Sequence, residues 1–546
     1  MEIRISMVHH NPGEEPFVTK FSSPDVLSEY SYSGQAFKHI NTVISFDSLG
    51  HDLFPNGSQE RQWLDSFGDS IKRDNLAAKR AGLEVYHHID LFVLPKKLVE
   101  LYKNEICDEN GKISIDKEKT LELHKTLFDE MFSKFPELDG LIIRVGETYL
   151  HDTPYHTGNG AVIYGDVADE KRQFIKLINF LLQEICVKHN KKLIFRTWDC
   201  FNDRFHANPQ YYLDVTDKIE PHKNLYFSIK HTALDFWRRV KWNECLCIGK
   251  HKQIVEVQCQ REYEGKGAYP SYVMNNIING DKSNNKIVGL KDIVEHPLIS
   301  GIYTWPRGGG WAGPYSPDEF WSDLNTYVIS HYAANPQKSE EEIFKQLAFE
   351  RLNLSKTDAE KFRTLCLTAD DALLKGRYIE CYDATLCESE CPCCNWMRDD
   401  VLGGLYHSQN AFDYLFENDK LYEALSEKEE SYKLWQRVYE ISQSIDWSRS
   451  DNKDFIITSC EYAVKLFAAV FYGWSVITYG YNAAKKGENK AELAAAINNF
   501  DDAWNEYQKL NENKNAASLY KLSFLIWNQP GLKETIDSYR ELLSNL

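Results

Sequence analysis

Eight short apolar runs, each followed by a stretch of helical period, constrain this chain more than any other feature. They are IRISMVHH from Ile3, TVISFD from Thr42, LEVYHHID from Leu83, GLIIRVGE from Gly140, KLIFRTWD from Lys192, NLYFSIKHT from Asn224, IVEVQCQRE from Ile254 and ISGIYTWPR from Ile299. Val, Ile, Phe and Tyr dominate them, as strands covered on both faces require. Between the runs, Phe174, Leu177, Ile178, Leu181, Leu182 and Ile185 recur at helical spacing, and so do Leu123, Leu127 and Met131. Strand then helix, repeated eight times before residue 310, predicts a TIM-type (β/α)8 barrel. An open doubly wound sheet is the alternative, and no GxGxxG follows the first run to favour it.

Near Asn335-Pro336 the pattern changes. Ser339-x-x-Glu342 reads as a capping box, and helical periodicity continues from there to Leu546. A chain of 546 residues also exceeds the ~250–300 at which one core stops growing. The expected organisation is a barrel catalytic domain over 1–335 and an all-α C-terminal domain over 336–546. Gly480 with Lys485 and Lys486, and Pro530-Gly531, read as connections within the second. Its expected role is scaffolding or formation of a homodimer. Tyr462 to Tyr481 is long enough to span a bilayer, but Lys465 and several tyrosines make it a buried helix, and no membrane association is expected.

Lys and Arg number 63 against 81 Asp and Glu, a net charge of −18, and no long basic run gathers the cations that phosphate neutralisation needs. Nucleic acid is therefore excluded as a partner, and an anionic ligand must meet a local basic pocket. The first residues lack a charged segment followed by an apolar one, so no signal peptide is read, and a cytoplasmic or periplasmic location is expected. Of 13 cysteines, six lie between Cys366 and Cys394, ending in Cys387, Cys391, Cys393 and Cys394. No second CxxC pair at finger-like spacing supports zinc, which leaves reduced thiols or a local disulfide as the plainer readings.

The polar residues fall where the runs end. Asp47, His87, His88, Asp90, Arg144, Glu147, Arg196, Trp198, Asp199, Lys230, His231, Glu262, Trp305 and Arg307 all lie at or just beyond the carboxyl ends of predicted strands. In a barrel those ends converge on one mouth, where the active site sits. Of the vicinal pair His87-His88 only one can face it, because neighbouring strand residues point to opposite faces, which weakens a metal reading with Asp90. After the eighth run, RGGGWAGPYSP (Arg307 to Pro317) has three glycines that let the backbone bend around a ligand or pass close to another segment. No Lys-Ser/Thr follows in P-loop order.

Three carboxylates stand out by placement: Glu147, Asp235 and Glu262. Glycoside hydrolysis needs an acid for the leaving oxygen and a second carboxylate across the sugar, and Glu147 and Glu262 are spaced to face each other. Trp198, Tyr263, Trp305 and Trp311 supply an aromatic rim. Arg144, Arg196, Lys230 and Arg307 suggest an acidic substituent on the sugar, the rival reading being that they neutralise the site's own carboxylates. No G-x-S-x-G and no H-E-x-x-H occurs.

IKHTALDF (Ile229 to Phe236) followed by E-x-Q-x3-E-Y-x-G (Glu256 to Gly265) resembles the paired motifs of glycoside hydrolase family 67, the α-glucuronidases. GIYTWPRGGGWAGP and AANPQKSEEEIFKQLAFERL are similar to that family's passage from the last barrel strand into its helical domain. The resemblance implies an inverting, exo-acting hydrolase that removes a terminal uronic acid without metal or organic cofactor. It makes Glu147 the general acid and Asp235 and Glu262 the candidates for the base. Arg144, Arg196, Trp198, Lys230, His231, Tyr263, Trp305, Arg307 and His88 are then the expected substrate contacts, on an oligosaccharide that carries an acidic sugar. The sequence departs from the family in its acid stretch, Arg144-Val145-Gly146-Glu147-Thr148, where the family has a lysine and Ser-Glu-Gly. It departs also in the family's N-terminal β domain, which has no counterpart before Ile3. A non-catalytic glycan-binding barrel and a polysaccharide lyase are the alternative functions.

Overall fold

The computed structural model describes residues 1–9, 17–150, 152–238, 240–281, 288–310, 313–382, 402, 405–523 and 531–545. Eight parallel strands close into a barrel: β1 (Ile3–His9), β2 (Gly34–Lys38), β3 (Glu84–Asp90), β4 (Gly140–Arg144), β5 (Lys192–Arg196), β6 (Leu225–Lys230), β7 (Lys252–Gln258) and β8 (Ile299–Gly308). Each pairs with its neighbours in sequence, and β8 returns to β1 with Ile3 opposite Gly301. A two-stranded antiparallel ribbon, Val93–Pro95 with His156–Gly158, lies on the connections after β3 and β4.

Seven of the eight predicted strands are present, and the second is not where the apolar run places it. Ile40–Val43 forms a 3-10 turn, Phe46 adopts a left-handed backbone (φ 57), and β2 is the preceding segment GQAFK. The run from Thr42 to Phe46 is apolar because the connection is buried, with the Phe46 and Ser48 amides donating to Glu130 at 2.9 and 3.0 Å. Gly34 is required in β2: a Cβ there would lie 2.8 Å from the Tyr86 ring. Asp47 accordingly leaves the list of mouth residues, since it is half exposed and pairs with Arg61 at 3.1 Å.

Strand alternation divides the apolar residues into two sets. Ile3, Ile5, Met7, Ala36, Tyr86, Ile142, Ile194, Tyr226, Ile254 and Tyr303 fill the barrel. Val85, Leu141, Phe195, Phe227, Val255 and Ile302 face outward into the helices, including Gln59–Arg80, Glu118–Lys134 and Val167–Leu181.

After β8 and the helix Phe320–Ala334 the described residues are helical through to Asn545. The Ser339 capping box forms as expected, with the Glu342 amide donating to the Ser339 hydroxyl at 3.2 Å and the Ser339 amide to the Glu342 carboxylate at 2.8 Å. Lys453–Lys486 is one unbroken helix of 34 residues. It is long and apolar enough to cross a membrane, yet 67% of its most apolar window is buried within the protein. Gly480 does not interrupt it, contrary to the sequence reading. It is glycine because the Tyr539 ring lies 2.5 Å from where a Cβ would stand, and the helix ends instead at Gly487 (φ 73), beside the expected Lys485 and Lys486. Of the cysteine cluster, Cys366 is a buried thiol and Cys381 a half-buried one; Cys387, Cys391, Cys393 and Cys394 lie outside the described residues, as do Trp311 and Pro530.

Barrel closure rests on a close approach at Gly301, where a Cβ would fall 1.9 Å from the Ile3 carbonyl oxygen. Gly301→Ala is expected to cost about 1–3 kcal/mol or more by forcing β1 and β8 apart, measured as a fall in the denaturation midpoint without a change in slope.

Candidate active site

Alternation also decides which polar residues enter the mouth. In β3, His88 and Asp90 point inward, whereas His87 points outward and bonds Asn75 of the helix Gln59–Arg80 at 2.9 Å. In β6, Ser228 and Lys230 are inward and His231 outward. His231 therefore does not join the expected substrate contacts. Its Nδ1 meets the Glu256 carbonyl at 3.1 Å, and its ring packs on Phe236 and Trp242 beneath the surface.

Arg196 of β5 and Glu256 of β7 form a bidentate pair, Nε to Oε1 and Nη2 to Oε2 both at 2.8 Å, and Ser228 donates to Oε1 at 2.9 Å. Both side chains are buried, at 1% and 0% exposure. Burial alone would raise the Glu256 carboxyl, but the charge and hydrogen bonds of Arg196 outweigh it and hold the group below its ordinary range. Arg196 Nη1 lies 3.4 Å from His88 Nε2, and a guanidinium can only donate, so His88 accepts there and carries its proton on Nδ1. Burial, then the charges of Arg196 and Arg144, keep that imidazole neutral.

Arg144 is committed in the same way. It donates from Nε and Nη2 to Asp90, both at 2.5 Å, and lies over the Tyr149 ring at 4.1 Å. Lys230 donates to Asp235 at 2.5 Å and rests 3.4 Å above the centre of Trp198. Tyr263 donates to the other oxygen of Asp235 at 2.7 Å. Burial works against the Asp235 carboxylate, yet Lys230 and these hydrogen bonds bring its pKa below the usual value. Arg307 donates to the Ser316 carbonyl at 2.9 Å and has Glu319 at 3.8 Å, so it anchors the far side of the loop after β8.

Glu147 is half buried between Tyr149, which donates to it at 3.1 Å, and the Trp198 indole N–H at 3.3 Å. Glu262 is buried, with Gln258 Nε2 donating at 2.9 Å. The glycine loop passes beside it: at Gly309 (φ 100) a Cβ would stand 3.3 Å from the Glu262 carboxylate and 2.6 Å from Gln258. The three carboxylates share surroundings. Burial and then Glu147 raise the Tyr149 hydroxyl, and Glu262 adds to the effect; burial and then Glu147 raise the Cys200 thiol, with Asp235 adding there. Trp305 walls the site, stacked on His9 at 5.3 Å with Phe236 edge-on at 5.6 Å, and Tyr263 leans on Trp237 at 4.3 Å. Asp199 belongs to the scaffold. Its carboxyl caps the amides of Phe201 and His206, and burial pushes it up to about 7.

Glu256, Gln258, Tyr149 and His9 also line the mouth, although none is among the expected site residues. The first two carry a signal, since V-E-V-Q sets polar residues at alternate positions of an apolar strand.

No family model matches the sequence, and no curated protein does. Among solved structures the chain is similar to a GH138 enzyme targeting pectin rhamnogalacturonan II, with a TM-score of 0.60 and 12% identity over 100% of this chain and 67% of that one. Lesser similarities are to an O-GlcNAc hydrolase of Thermobaculum terrenum (TM-score 0.41, 11% identity, 100% and 94% covered) and a family GH115 4-O-methyl-α-glucuronidase (0.40, 10%, 86% and 52%). The fold is thus a (β/α)8 barrel with a helical C-terminal region, of a kind also seen in glycoside hydrolases.

Arg196→Met strands Glu256 and is expected to cost about 3–5 kcal/mol, most of it recovered by adding Glu256→Leu. The pH dependence reverses as well. In the wild type the pair's contribution is lost as pH falls through the depressed Glu256 value; in the single variant the buried carboxyl is raised, so stability falls as pH rises above about 4. Denaturant midpoints across pH measure both.

Proposed function

We propose that this protein is a glycoside hydrolase, inverting and exo-acting, that removes a terminal uronic acid from an acidic oligosaccharide in the manner of the family 67 α-glucuronidases its motifs resemble. The observation that carries the reading is the pairing of unlike carboxyl environments in one mouth: Glu147 half buried against an indole and a phenol, Asp235 held charged by Lys230. Glu147 gives its proton to the leaving glycosidic oxygen. Asp235 takes one from the water that attacks the opposite face of the sugar, with Glu262 as the alternative base. Trp305 and Trp198, each already packed against a neighbouring side chain, wall the sugar subsite with their edges.

The acidic substituent needs a cation. Arg144 and Arg196 each spend two hydrogen bonds on the chain's own carboxylates, which supports a structural duty for both. Lys230, with three donors, serves both Asp235 and a substrate oxygen, and Arg307 approaches from the loop side.

Glu147→Gln is expected to lower kcat on a uronic-acid-capped oligosaccharide by about 10²–10⁴-fold with the fold intact; turnover near wild type would remove Glu147 as the acid. NMR of the first-formed anomer tests inversion, and a retained anomer rejects that mechanism. Replacing Lys230 by Gln releases Asp235 to titrate higher, so the acidic limb of the kcat/KM profile moves up by about 1–3 pH units.

A further inference from the structure

Asp235 and Glu262 stand on different loops, after β6 and β7, and one buried ionic network joins those loops from below. Arg261, next to Glu262, donates to the carbonyl of Phe236, next to Asp235, at 2.6 Å. Its guanidinium also meets Glu264 at 3.2 Å, and Arg238 reaches the same Glu264 oxygen at 3.0 Å. One carboxylate thus fixes two arginines, one from each loop. All three side chains are nearly or wholly buried.

The network does not end within the barrel. Arg238 donates from Nη2 to Asp370, which lies on the helix Lys356–Arg377, and its backbone N–H donates to the Tyr378 hydroxyl at 3.1 Å. The second oxygen of Asp370 accepts from Asn276 at 2.7 Å, in the segment that follows β7. Arg377, about two helix turns further along, donates to Tyr269 at 3.0 Å beyond the same loop. The helical region therefore grips both carboxylate-bearing loops through residues that touch neither carboxylate.

We propose that Asp370 is a positioning residue: through Arg238, Glu264 and Arg261 it sets the separation of Asp235 and Glu262, so the C-terminal helices are a working part of the catalytic mouth. The kinetic consequence rests on the glycosidase reading; the mechanical one does not. A loop released by even 1 Å costs up to about 10²-fold in rate while leaving the sugar's other contacts in place.

The test compares wild type, Asp370→Asn, Asp370→Glu and the milder Tyr378→Phe by hydrogen exchange and by turnover of the uronic-acid-capped oligosaccharide. Asp370→Asn should lose protection in 232–238 and 259–266 while 84–90 and 140–150 are unchanged. Its kcat should fall about 10- to 100-fold with KM within about twofold, and Asp370→Glu should restore part of the loss. Unchanged exchange in both loops, or protection lost evenly around the barrel, overturns the proposal, as do loosened loops with undiminished kcat. Should Asp370→Asn not fold, Tyr378→Phe carries the same comparison. A wild type that hydrolyses nothing counts against the glycosidase reading, and the exchange pattern still decides this one.

Discussion

The ion pair between Arg196 and Glu256 marks the level at which the barrel stops being a core and becomes a site. Below it lie Ile142, Ile194, Tyr226, Ile254 and Tyr303; above it lie Lys230, Asp235 and Glu147. Moving two ions out of water costs several kcal/mol each, and a loose pair would not offset that. The bidentate geometry and the Ser228 hydroxyl do. Other properties follow, among them the tautomer of His88 and the wall formed by Trp305, over which Arg196 lies at 5.2 Å.

The architecture was legible because a barrel writes itself as repetition, and the failures have specific physical causes. Thr42 to Phe46 looks like a strand because it is buried, and burial rather than strand geometry is what an apolar run reports. The true β2, Gly34–Lys38, carries only Ala36 and Phe37 as apolar signal. Within correctly placed strands, alternation separates His87 from His88 and Lys230 from His231, but alternation alone does not say which member of each pair is the inward one. Glu256 was read as part of a motif and not as a charge, since a carboxylate in mid-strand has no purpose until its partner sixty residues earlier is in view. The cations that suggested an acidic ligand turn out each to have a carboxylate of the chain nearby, and only three-dimensional proximity reveals that.

The helical region is bound to the barrel by a continuous core as well as by charge. Trp321, on the helix after β8, donates to Ser459 of the long helix at 3.0 Å and stacks near Phe362. Tyr269, from the loop after β7, packs against Trp435, Tyr462 and Phe467. Apolar contact of this extent resists the relative motion of loosely joined domains. The loops that carry Asp235 and Glu262 rest on that surface, so their geometry inherits the stability of the helices beneath them.

The internal pairing of charge in the mouth also affects how a ligand arrives. With Arg144, Arg196 and Lys230 each held against a carboxylate, the mouth projects little positive potential, while the chain as a whole bears a net charge of −18. A polyanionic glycan, if the proposed substrate is of that kind, would thus approach against a repulsive field and find its cation only after contact. Salt shortens the reach of that field to about 8 Å at 0.15 M. Encounter with a long acidic chain should therefore quicken as ionic strength rises, the opposite of electrostatic steering, whereas a short fragment carrying a single charge should hardly notice.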